Sequence, residues 1–282
     1  MLEREEYIEQ EYFFRTVAER LEENTPMQDL LHQLRQEVLA TTKLPMALGF
    51  LLAELKHSGV FAPAMARLKH YFTPFQTYIV REAEEERGRF DMRIAMAVLR
   101  EEAGYRAKEP TRQGAFLFQF EVLCRNRLRY DKGLVAIAED PIYDENWKEW
   151  ILTVRRQIGF VDFADMLYVR SQLYVNDAAR RGKPIEEPEK VALFGEREGK
   201  IAWANRRKDP LYLFAALQRQ LGYPKPPRPT KRDPTQDLIP QLMRRIERLE
   251  TRVKLLEDDQ KGGFDLTQFY EQNKRMNEEK QD

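Results

Sequence analysis

The sequence predicts a mainly all-α protein: a multi-helix globular body with one candidate β-hairpin, a proline-rich linker and a short C-terminal coiled-coil helix. Three observations carry that expectation. Apolar residues recur three and four apart in segment after segment, as a helix with one buried face requires. Helix starts share one grammar, seen in Thr25-Pro26-Met27-Gln28, Thr73-Pro74-Phe75-Gln76 and Asp233-Pro234-Thr235-Gln236. There a short oxygen-bearing side chain can cap, proline takes the first helical position, and glutamine can reach back to the cap. Finally, six of the fifteen prolines crowd between Pro224 and Pro240, where a packed body gives way to extended chain.

Taken in order, Met27, Leu30, Leu31, Leu34 and Val38 share one helix face, and Leu44 to Leu55 is the most apolar stretch. The longest expected helix runs from Thr73 to about Lys108, with Ile79, Ala83, Phe90, Ile94, Ala97 and Tyr105 on its stripe. Asp144 opens a helix carrying Trp147, Trp150, Ile151, Val154 and Ile158. Another carries Phe163, Ala164, Leu167, Ser171, Tyr174 and Val175. Residues 190–204 read in two ways. Val191 and Leu193 alternate, Gly195 to Gly199 can turn, and Ile201 and Trp203 alternate again, which makes a hairpin. The other reading is a short helix opened by Pro188 and ended by Gly195. Asp209-Pro210 opens a helix through Leu211, Phe214, Leu217 and Leu221, stopped by Gly222 and Pro224. The expected organisation is a helical body over 1–182 and a small adjunct over 183–222. A basic proline-rich linker follows over 223–235, then a coiled-coil helix over 236–260 and a flexible tail over 261–282.

The clearest functional signal lies in the helix after the linker. Ile239, Ile246 and Val253 fall at heptad position a, with Leu242, Leu249 and Leu256 at d. β-Branched residues at a with leucine at d favour a parallel two-stranded coil. Arg245 and Arg252 fall at g, and Glu250 and Glu257 at e, so a parallel second copy meets each arginine with a glutamate. Pro240 confines the secure seam to little more than two heptads, a length marginal for an isolated helix. The seam can pair with a second copy, with a partner's helix or with its own body. Beyond Gly262-Gly263, Phe264, Leu266, Phe269 and Tyr270 read as an anchor peptide for another protein.

Catalytic and cofactor signals are sparse. Glu54-Leu55-Lys56-His57 has the Glu-x-x-His spacing of di-iron bundles, but those sites need a second copy of it, and none is present. Gly195-x-x-x-Gly199-Lys200-Ile201 is one residue short of a phosphate-binding loop and lacks its hydroxyl. No cofactor, metal or catalytic residue is therefore assigned. Cys124, among Phe116, Leu117, Phe120 and Leu123, reads as a core residue and not a nucleophile.

Forty-seven basic residues balance forty-seven acidic ones, so no whole-chain field draws the protein to nucleic acid or to anionic membrane. Mean hydropathy is −0.67 and no apolar run approaches membrane-spanning length, so no membrane insertion is expected. The start, Met1-Leu2-Glu3-Arg4-Glu5-Glu6, reverses the order of a secretion signal. A single cysteine excludes an intramolecular disulfide and fits a reducing compartment. These readings converge on a non-enzymatic cytoplasmic scaffold or adaptor that self-associates through its coil and binds an unidentified protein partner. The alternative is a nucleic-acid-associated regulator. It would use Arg125, Arg127, Arg129 and Lys132, Arg180, Arg181 and Lys183, and Arg206, Arg207 and Lys208, with Trp203 or Tyr212 stacking on bases. A third reading is an enzyme of unfamiliar type in a helical pocket.

Overall fold

The computed structural model describes residues 2–23, 25–85, 90–181, 191–229 and 234–261; in the last stretch, side chains are described for 242–254, 256 and 257. Among the described residues there are fourteen α-helices and no strand beyond two isolated bridges. Helix α1 (Arg4–Glu22) lies along α6 (Met92–Arg106) and forms the spine of the body. Between them α2 (Met27–Glu37) folds back on α3 (Leu44–Ser58), and α4 (Ala62–Arg67) leads into α5 (Pro74–Glu84). The other half is built from α7 (Arg112–Asn126), α8 (Tyr130–Ala138), α9 (Glu145–Gln157), α10 (Phe163–Val169), α11 (Gln172–Arg180), α12 (Glu196–Ala204) and α13 (Pro210–Leu221). Helix α14 (Pro234–Lys261) follows the proline-rich segment.

Helix starts follow the capping logic at Thr73, Asp144 and Asp209, whereas Asp233 lies outside the described residues. The Thr73 hydroxyl accepts the Gln76 N–H at 3.2 Å while the Gln76 side chain accepts the Thr73 N–H at 3.1 Å, a reciprocal box. Asp144 and Asp209 cap α9 and α13. Thr25 does not cap; α2 begins without a side-chain acceptor.

Three expectations change. The helix expected from Thr73 to Lys108 is two helices, because Asp91 caps a fresh start and accepts the Arg93 N–H at 2.7 Å. The stripe from Phe163 to Val175 is also two helices, since Ser171 caps α11 and its hydroxyl also reaches back to Tyr168 O at 2.7 Å. Among the described residues, 191–204 form no hairpin and no helix ends at Gly195; residues 182–190, Pro188 with them, lie outside the described residues. Gly195 is instead the N-cap of α12, with Glu196 and Glu198 in the first turn suiting its positive end. Leu193 and Phe194 do make sheet-like bonds, but to the α10–α11 corner: both donate to Arg170 O, at 2.8 and 3.0 Å. That corner crowds Gly199, where an added Cβ would sit 2.4 Å from the Ser171 oxygen.

Residues 193–223 share one continuous core with the body. Phe116 stacks on Phe120 with ring centres 5.7 Å apart, and Phe194 meets Trp147 and Trp150 edge-on at 5.3 and 5.1 Å. A buried polar node ties the two halves together. Arg106 Nε donates to Glu102 at 2.7 Å, its Nη2 reaches Asp140, and Gln76 Nε2 donates to Glu102 at 2.9 Å and to Gln10 at 3.0 Å. Tyr143 closes the network through Gln119 at 2.8 Å. The first part of the proline-rich segment lies on the body. Tyr223 is buried with its hydroxyl donating to Glu121 at 2.8 Å, and Asn126 donates to Pro227 O at 3.0 Å.

Candidate interaction surface

Proline at the first position of α14 costs no hydrogen bond, and the helix then runs twenty-eight residues. Its heptad seam faces outward. Leu242, Ile246, Leu249, Val253 and Leu256 are between 49% and 63% exposed, unlike the apolar stripe of any other long helix here. Ile239 lies on α14, but its side chain is outside the described residues. Arg245, Glu250, Arg252 and Glu257 flank the seam and are exposed. The tail residues Phe264, Leu266, Phe269 and Tyr270 lie outside the described residues.

The opposite face of α14 touches the body. Arg244, Glu247, Arg248 and Thr251 form an i, i+3, i+4, i+7 stripe, all partly covered, while α14 packs on α3. Arg248 Nη1 donates at 2.8 Å to the carbonyl of Glu84, at the end of α5, where cations suit the helix dipole. Arg244 comes within 3.8 Å of Asp91, the cap of α6. Gly59 lies in contact with this stripe. It ends α3 in the left-handed region at φ 69°, and a Cβ there would sit 3.6 Å from the Arg248 Cα. Burial pushes the Asp91 carboxyl up, but bonds from Arg93 and the nearby Arg244 guanidinium outweigh it and hold the group below its ordinary 3.8. Glu84 accepts the Phe61 and Ala62 N–H groups at 2.8 and 3.0 Å, capping α4. Burial nevertheless raises its carboxyl above the ordinary range.

This docking stripe was not singled out from the sequence. Its signal was present as four polar residues at helical spacing on the face opposite the seam, together with a glycine closing a distant helix. Polar stripes of that kind usually face water, so only the packing reveals the contact.

Several of the other candidates are engaged elsewhere, and Lys183 lies outside the described residues. Glu54 of the Glu-x-x-His pattern pairs with Arg67 at 2.8 Å, and among the described residues no three His, Cys, Asp or Glu side chains converge to hold a metal. Cys124 packs at the edge of the core, where burial pushes its thiol up to about 11, so little nucleophilic thiolate forms at neutral pH. Within the basic clusters Arg125 pairs with Glu121, Arg129 with Glu82 and Glu85, and Arg206 with Asp165. Trp203 carries Arg206 over its ring at 4.2 Å and Tyr168 at 4.7 Å, which occupies the ring a base would need. No helix among the described residues is long and apolar enough to cross a membrane. No protein-family model, curated protein or solved structure matches this chain.

Proposed function

We propose that this chain is a non-enzymatic cytoplasmic scaffold that self-associates as a parallel dimer through α14, leaving residues 261–282 to engage a client protein. The observation that carries the reading is the orientation of α14: its polar back lies on the body and its apolar heptad seam stands in solvent. An exposed seam of this kind is a liability unless a partner covers it. Each half-exposed seam residue has about 1 kcal/mol still to gain from burial, against an association cost of about 4–15 kcal/mol. Two heptads would be marginal as free helices, but docking has already ordered α14, and preorganisation lowers that cost.

Charge selects the partner. In a parallel pair Arg245 meets Glu250 of the second copy and Arg252 meets Glu257. An antiparallel pair would set arginine against arginine and glutamate against glutamate, which penalises it. The lone, weakly nucleophilic Cys124 supports a reducing compartment.

Light scattering on the purified chain tests this directly. A dimer is expected at tens of micromolar, roughly the range for an association near 7 kcal/mol, and Leu249→Asp with Val253→Asp should return a folded monomer. A wild-type monomer at those concentrations sinks the proposal. Retention on DNA that falls steeply with salt would favour the nucleic-acid reading instead.

A further inference from the structure

A second site, independent of α14, lies where α5 and α8 pack. The two helices run antiparallel: Tyr78 donates to the Arg129 carbonyl at 3.0 Å just before α8 begins, and Arg129 binds Glu82 and Glu85 at the end of α5. Between them lies a cleft of about 660 Å³, of a size ordinary for small-molecule sites. Its floor is apolar and shallow-sided because Ala66, Val135 and Ala136 are small, with the ring of Phe72 beneath. On α8 the lining residues Lys132, Val135, Ala136 and Glu139 form one stripe, so the cleft extends about 10 Å along that helix.

The two ends of the cleft differ in charge. Arg81 and Lys132 stand at the end where α8 begins, and that helix adds its own partial positive charge there. The neighbouring carboxylates are held mainly by other groups: Glu82 and Glu85 by Arg129, Glu84 by the Phe61 and Ala62 N–H groups, and Asp131, which also lines the cleft beside Lys132, by Arg155 at 2.6 Å. Neither Arg81 nor Lys132 has an ion-pair partner among the described residues. At the far end the lining residues Lys69 and Glu139 carry opposite charges.

We propose that this cleft binds a free amphipathic organic anion, a carboxylate with a linear apolar chain. The head would lie between Arg81 and Lys132 and the chain along Val135 and Ala136. The complementarity is specific in sign and in polarity: among the described residues, two cations with no direct ion pair stand at one end, an apolar trough follows, and the acids at the head are each held by other groups.

Calorimetric titration of the full chain with decanoate, decanol and decylamine tests it. Decanoate should bind saturably with one site per chain, with decanol and decylamine at least about tenfold weaker, the equivalent of one charge-assisted contact. Arg81→Ala with Lys132→Ala should weaken decanoate by a similar factor, and Ala136→Phe should abolish binding by filling the trough. Should either variant fail to fold, protection of Lys132 from acetylation by decanoate in the wild type gives the same answer. Absent saturation, equal binding of decanol, or binding untouched by the variants with Lys132 unprotected would each overturn the assignment.

Discussion

Helices α9 and α14 carry the same amphipathic spacing and use it in opposite senses. On α9, Trp147, Trp150, Ile151 and Val154 enter the core and the charged face looks out. On α14, Arg244, Glu247, Arg248 and Thr251 look in, and the leucines and β-branched residues look out. The difference teaches that periodicity identifies a helix and its two faces but not which face meets the protein. Helix α9 is held by apolar burial, which is non-directional and strong in sum. Helix α14 is held by a few directed contacts at the ends of α3, α5 and α6, which leave the apolar face exposed.

The contrast can be broken most forcefully by truncation. Trp150→Ala should cost about 3–5 kcal/mol of unfolding free energy, because an edge-packed aromatic cavity cannot collapse fully. Leu249→Ala should stay within about 0.5 kcal/mol for the monomer, while weakening assembly. Urea titration at low protein concentration measures both, and comparable losses would mean that the seam is buried after all. A smaller effect is expected at Gly59. Gly59→Ala must place a side chain in the left-handed region, at about 1–2 kcal/mol. Amide exchange at the end of α3 should accelerate while α9 stays protected; unchanged protection there would refute the left-handed strain. The smallest effect is one of pH. Asp91 is held below its ordinary 3.8 in the folded chain, so it binds fewer protons folded than unfolded, and its contribution is present above that value and lost as pH falls below it. Asp91→Asn should remove that part of the acid dependence of α14 protection, and an unaltered acid profile would remove Asp91 from the dock.

Much of the body was legible in the residues. The Thr73 box, the Asp144 and Asp209 caps, the αL stop at Gly222 and the stripe of α9 all stand where capping chemistry and helical period place them. The errors share a cause. Asp91 and Ser171 interrupt runs whose apolar spacing continues across them, so two pairs of helices read as two long ones. At Gly195, alternation over a few residues could not be told from the end of an extended segment that pairs with the distant Arg170 carbonyl. The heptad spacing on α14 is a property of the sequence alone, whereas its docking required knowing that Gly59 and the ends of α5 and α6 converge.

Gln76 has a consequence for the order in which the chain gains its structure. Its carbonyl oxygen serves the turn at Thr73, three residues away, while its amide serves Gln10 and Glu102, which are sixty-six and twenty-six residues away. The local half of that arrangement can form in a nascent segment within microseconds, long before the distant partners arrive. Once formed, it holds the amide in the rotamer that the distant partners require, so the cap acts as a template for the long-range encounter between α1, α5 and α6. Gln76→Leu should therefore slow refolding as well as weaken the native state, and stopped-flow traces would register the two as a shifted folding limb and not only a faster unfolding one.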